Sequence, residues 1–215
     1  MQATPNPAII PASVTSFYDY FTLNAETGEV AQALGYSYTV GSLVLPKSRE
    51  LPAWSQDLDE LLRDHILLVR MGNETVRREA IIAPIVLRII RALRLPINME
   101  YWVNVAPQLK GRLDYLMRSD ESLLVVEAKD GDITRGTTQL VAEMIALDQW
   151  ENTNDRTIWG AITSGTLWYF AILNRREKII TQDLLQGFQV PADLGNLLQT
   201  LLGILESDPI NDASI

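Results

Sequence analysis

Gly111-Arg-Leu-Asp-Tyr-Leu-Met-Arg-Ser-Asp-Glu-Ser-Leu-Leu-Val-Val-Glu-Ala-Lys129 decides the fold reading, because two runs that otherwise read as buried β-strands carry Asp114, Glu127 and Lys129. Charge inside such strands is costly unless it is paired or bound to metal. If the chain reverses at Ser119 to Ser122, the antiparallel register sets Asp114 opposite Glu127. Opposed side chains have Cβ atoms roughly 4.5–5.5 Å apart, and two carboxylates there repel unless a cation lies between them. Lys129 follows Glu127 by two residues and falls on the same strand face. The run Leu123-Leu-Val-Val126 reads as a strand covered on both faces, which favours an interior cluster. The plainer alternative is a solvated strand face in which Asp114 pairs with Lys129 across the hairpin.

Composition narrows the chemistry. The 215 residues, 47% of them apolar, suffice for one domain with a substantial core. With no cysteine and a single histidine, His65, thiolate zinc sites, cysteine nucleophiles and multi-histidine metal sites are excluded within one chain. Carboxylates, lysine, hydroxyls and backbone remain, and these suit hard cations such as Mg²⁺ or Mn²⁺. His65, in LLRDHILLV, reads as a helix residue rather than a base. A formal charge of −9 argues against a protein that coats nucleic acid, although a local positive surface is compatible with it. No run approaches the roughly 18 apolar residues of a membrane span, and the N-terminus lacks the basic start of a signal peptide. The expectation is a soluble, cytoplasmic protein with no membrane partner.

Around the hairpin, hydrophobic periodicity orders the chain. The first 55 residues mix aromatic and β-branched residues with turn signals and predict an irregular, strand-rich start. A helix is predicted at about 55–69 with Ser55 as N-cap, and another from Asn73, kinked or divided at Pro84. In the second helix Ile82, Val86, Ile89, Ile90 and Leu93 form one apolar stripe, with Glu79 on its N-terminal extension. A strand at 99–105 precedes the hairpin, and a helix at 134–150 follows it. TIWGAITS and TLWYFAILN read as strands, with a third at 178–181 and a late helix at about 191–206. Aromatic residues in TLWYF read as strand packing. The division expected is a 1–72 extension packed on a 73–215 core, within one domain.

Helix, three strands, helix, strand, with Asp114 and Glu127-Ala-Lys129 on adjacent strands, resembles the PD-(D/E)xK, or restriction-endonuclease-like, nuclease superfamily. The likeness covers about residues 73 to 165, and Leu113 stands where the name-giving proline would be. The resemblance implies an αβββαβ core with a mixed sheet flanked by helices. It implies Asp114, Glu127 and the Ala128 carbonyl as Mg²⁺ or Mn²⁺ ligands, with Lys129 orienting or deprotonating the attacking water. By the same resemblance Glu79 joins the metal or its water, and Gln139 supports the site from the second core helix. DNA is the implied substrate, and a homodimer would supply two sites for two strands.

In-line attack of water on a phosphodiester needs a cation, a nucleophile of lowered pKa and a positioned positive group, and these residue types supply all three. Lys129, desolvated beside a metal, is expected to have its own pKa lowered. Asp130 and Asp132 read as turn residues. Arg77, Arg88, Arg91, Lys110, Arg112 and Arg135 are candidate phosphate contacts. The competing expectation is a catalytically silent binding or assembly protein that keeps the fold.

Overall fold

The computed structural model describes residues 8–129, 132–151 and 156–206. In chain order the elements are α1 (Phe17–Phe21), α2 (Thr27–Ala33), β1 (Ser37–Val40), α3 (Ser55–Leu68), α4 (Glu74–Arg77), a π-helical turn (Arg78–Ile82) and α5 (Ala83–Leu93). There follow β2 (Ile97–Ala106), β3 (Leu109–Arg118), β4 (Ser122–Ala128), α6 (Ile133–Trp150), β5 (Thr157–Thr163), β6 (Leu167–Asn174), β7 (Ile179–Gln189) and α7 (Leu194–Glu206). The strands make one seven-stranded mixed sheet in the order β1-β7-β6-β5-β4-β3-β2. β4 pairs with β5, and β1 with β7, in parallel; the remaining pairs are antiparallel.

Helices cover both faces of this sheet. Leu124 and Val126 of β4 pack in one core with α3, α5 and α7, while Leu123 and Val125 pack in the other with α1, α2 and α6. The unbroken Leu-Leu-Val-Val run is therefore the signature of a strand enclosed on two sides. Each apolar side chain so enclosed contributes roughly 1.5–3 kcal/mol. No helix among the described residues is long and apolar enough to cross a membrane.

The hairpin closes where the Ser119 N–H donates to the Ser122 carbonyl, and Tyr115 pairs with Val126, Leu116 with Val125. Continued by one residue, that register sets Asp114 across from Glu127. Here the Asp114 carboxylate accepts from the Ala128 N–H at 2.9 Å, so a side chain takes the place of the β3 backbone.

Pro84 divides its helix by a specific route. Lacking an N–H, it cannot serve the Ala80 carbonyl as an α-helix requires, and the turn before it widens to i→i+5 bonding, with the Ala83 N–H donating to the Arg78 carbonyl. His65 Nδ1 lies 2.6 Å from the Ala80 oxygen, which fixes the proton on Nδ1 and gives this histidine a structural role.

The start of the chain corrects the strand-rich expectation. Ser16-Phe-Tyr-Asp-Tyr-Phe21 is helical because the Asp19 carboxylate accepts from the Thr15 and Ser16 N–H groups at 2.7 and 2.9 Å, turning the chain into α1. Phe17 and Tyr20 then bury themselves, and the Tyr20 hydroxyl donates to the Gln108 carbonyl. Among the described residues of this region, only β1 joins the sheet. The strand predicted at 178–181 is the first part of the longer β7, and the late helix starts at Leu194.

Candidate functional site

β2, β3 and β4 bring three acids onto one rung of the sheet. Met99 pairs with Tyr115 and Tyr101 with Leu113, so Glu100 lies across from Asp114, which in turn faces Glu127. Glu100 has a left-handed backbone, φ 52°, a conformation that costs a non-glycine residue of order 1 kcal/mol or more. Two residues along from Glu100 and Asp114, Trp102 pairs with Arg112. Asp114, Glu127, Lys129, Gln139, Glu74, Arg78 and Glu100 line one cavity of about 310 Å³, with Tyr18, Trp102 and Arg112 also on its wall.

Glu127 and Lys129 are only 1% and 4% exposed. Lys129 Nζ lies 2.6 Å from Glu127 Oε1 and 3.8 Å from Glu74 Oε2, and the rings of Phe21 and Tyr18 stand 5.5 and 5.9 Å away. Asp114 Oδ1 pairs instead with Arg78 Nη1 at 3.0 Å, and Arg78 Nη2 reaches Glu100 at 2.6 Å. The Asp114 to Lys129 pairing considered above is replaced by two separate ion pairs. Asp114 belongs to Arg78, and Lys129 to Glu127.

The floor of the site comes from α6. Gln139 and Glu143, four residues apart, share a helix face directed at β4. Gln139 Nε2 donates to Glu127 Oε1 at 2.5 Å and to Glu143 Oε1 at 2.8 Å. Three enclosed oxygens receive no hydrogen bond: Glu127 Oε2, Gln139 Oε1 and Glu143 Oε2.

Burial is the main force on these groups. It pushes the Glu143 carboxyl up to about 8, and it raises Glu127 well above the ordinary carboxylate range, with Glu143 and Asp114 adding repulsion against the pull of Lys129. Burial also raises Asp114, opposed by Arg78 and the Ala128 N–H. For Lys129 burial acts downward, yet Glu127, Glu74 and Glu143 outweigh it and leave the ammonium above its usual value.

A hard divalent cation fits the donor chemistry of this cleft. Its ligating atoms are carboxylate, amide and carbonyl oxygens, Glu127 Oε2 is enclosed without a donor, and the described residues bring Glu74, Glu100, Asp114, Glu127 and Glu143 against Arg78 and Lys129. The donors do not form a ready cage: among the described residues no three acidic or histidine side chains converge at metal-ligand spacing.

The sequence-based residues divide accordingly. Asp114, Glu127, Ala128, Lys129 and Gln139 come together, whereas Glu79 is exposed and outside the cavity, on whose wall Glu74 and Glu100 stand instead. The cause is the π turn: an added residue in the turn rotates everything before it, so a 100° extrapolation from α5 misplaces Glu79. Of the arginines, Arg112 reaches the cavity; Arg88 and Arg91 line a separate one with Trp54, Arg135 pairs with Asp132, and Arg77 points to the Ser164 carbonyl. Asp132 N-caps α6 through the Arg135 N–H; Asp130 and the stretch 152–155 lie outside the described residues. Arg78, Glu100 and Glu143 escaped sequence reading. Glu143 left one trace, an acid one helical turn after Gln139 within an otherwise apolar face.

Compared with known proteins, the chain matches no family model and no curated relative.

Proposed function

We propose that the protein is a metal-dependent nuclease that hydrolyses DNA phosphodiester bonds, on a restriction-endonuclease-like core made by α5, β2, β3, β4, α6 and β5. One observation carries the reading: Asp114, Glu127 and Lys129, supported by Gln139, converge in a recess whose acids outnumber its cations. Asp114, Glu127 and the Ala128 carbonyl would hold Mg²⁺ or Mn²⁺. Bound there, the cation supplies a water of lowered pKa and offsets charge developing on the phosphate.

The chain's own residues do the rest. Lys129, paired with Glu127 at 2.6 Å, would orient or deprotonate the attacking water and help hold the scissile phosphate. Gln139 clamps both carboxylates in one orientation through its two N–H donors. Arg78 is placed to leave Asp114 for a phosphate oxygen when the cation takes its place.

Calorimetric titration with Mn²⁺ tests this directly. Saturable binding is expected, weakened at least tenfold in Asp114→Asn and unchanged in Glu79→Gln; Lys129→Ala should abolish cutting of DNA while still binding Mn²⁺. Absence of Mn²⁺ binding sinks the proposal. It would favour a second reading, a catalytically silent binding protein, which the Arg78 pair on Asp114 and the lack of a preformed ligand cage support.

A further inference from the structure

The mouth of the cleft carries features that hydrolysis alone does not use. Tyr18 is 63% exposed and Trp102 51% exposed, although both are large aromatics on the wall of the same cavity as Asp114. Exposed aromatic faces beside a phosphate-binding recess suit the stacking of unpaired bases, each of which presents a π face. A duplex hides those faces in its own stack.

Depth points the same way. The groups proposed to meet the phosphate, Glu127 and Lys129, are almost wholly enclosed, roofed by Tyr18 and Phe21 of α1 and lined by Glu74 and Gln139. A flexible single strand can turn one phosphate into such a recess, whereas a duplex must first be locally distorted to present one. Charge completes the argument. At −9 the protein gains little from counterion release, and Arg112 is the exposed cation on the cavity wall among the described residues. Affinity must then come from contacts other than a broad basic face, and stacking is the contact available.

We infer that the substrate is single-stranded DNA, held with its bases on Tyr18 and Trp102 and its backbone on Arg112. This rests on the nucleolytic reading above and specifies its substrate. The juxtaposition is local: Trp102 and Arg112 are cross-strand partners, two residues along the strands from Glu100 and Asp114, and Tyr18 of α1 lines the same cavity.

Fluorescence anisotropy of a labelled oligothymidylate, and of a duplex of the same length, tests the inference with Ca²⁺ present. The single strand is expected to bind at least tenfold more tightly than the duplex. Trp102→Ala and Tyr18→Ala should each weaken it by roughly fivefold to a hundredfold, the range found for removing a base-stacking aromatic. Trp102→Phe should restore most of the loss, and circular dichroism of these surface variants should be unchanged. Equal or tighter duplex binding, no binding of either DNA, or full affinity in both alanine variants overturns the inference. The two readings fail separately. A protein that binds oligothymidylate through these aromatics and never cuts it keeps the single-strand site and loses the hydrolytic reading; cutting of duplex and single strand at equal rates with Mn²⁺ does the reverse.

Discussion

Glu143 shows how one enclosed side chain couples stability to the site. It is 0% exposed, shares Gln139 with Glu127, and its carboxyl is pushed up to about 8 by burial. A carboxyl raised above its unfolded value of about 4.3 holds its proton longer in the native state. Its contribution to stability is therefore complete below the unfolded value and is lost as pH rises through the folded one. In EDTA the melting temperature should fall between pH 5 and pH 8. The slope expected from one such group is up to about 1.4 kcal/mol per pH unit. Glu143→Gln should flatten that fall and be the more stable protein at the alkaline end. A wild-type melting temperature independent of pH across this window, measured by differential scanning calorimetry, would refute the assignment.

At the scale of elements, α1 is the piece that encloses the site, and its seat is a glycine. Gly111 has φ +151°, and a Cβ there would lie 2.7 Å from Phe17 Cδ2 and 2.8 Å from the Phe17 backbone nitrogen. Gly111→Ala must displace α1, with an expected cost of about 1–3 kcal/mol. Lys129 should become more accessible, which amine-labelling rates followed by mass spectrometry would register; unchanged labelling and stability would show that α1 is not seated there. The hairpin register was legible because a single reversal at Ser119 to Ser122 fixes every pair that follows. Ser16 to Phe21 was not, since its aromatic content favours a strand while the deciding interaction is one Asp19 carboxylate on two backbone amides. The site divided in the same way. Asp114, Glu127 and Lys129 lie on one hairpin and could be read from it. Glu100 and Arg78 arrive through the β2 register and the π turn, neither of which leaves a residue pattern.

For the whole molecule, two helical layers on one sheet give a scaffold that can enclose charge, because β4 sits between cores on both faces. On the proposed reading, that enclosure would set how a nucleic acid is held: with 18 basic residues against 27 acidic ones the net charge does not favour DNA, and the phosphate contacts proposed are those of the cleft. Arg78, Arg112 and Lys129 are the cavity's cations among the described residues, so a strand held as proposed would have two or three phosphates neutralised. Single strands lose about 0.7 log units of affinity per log unit of salt for each such contact, which predicts a slope of roughly −1.4 to −2.1 for oligothymidylate. Affinity measured across a series of KCl concentrations gives that slope directly. A dependence several units steeper would mean a wide basic contact face outside the cleft and would overturn this mode of binding. Arg112→Ala should reduce the slope by close to one contact's worth, and Trp102→Ala should lower affinity at every salt concentration while leaving the slope intact, because stacking releases no counterions.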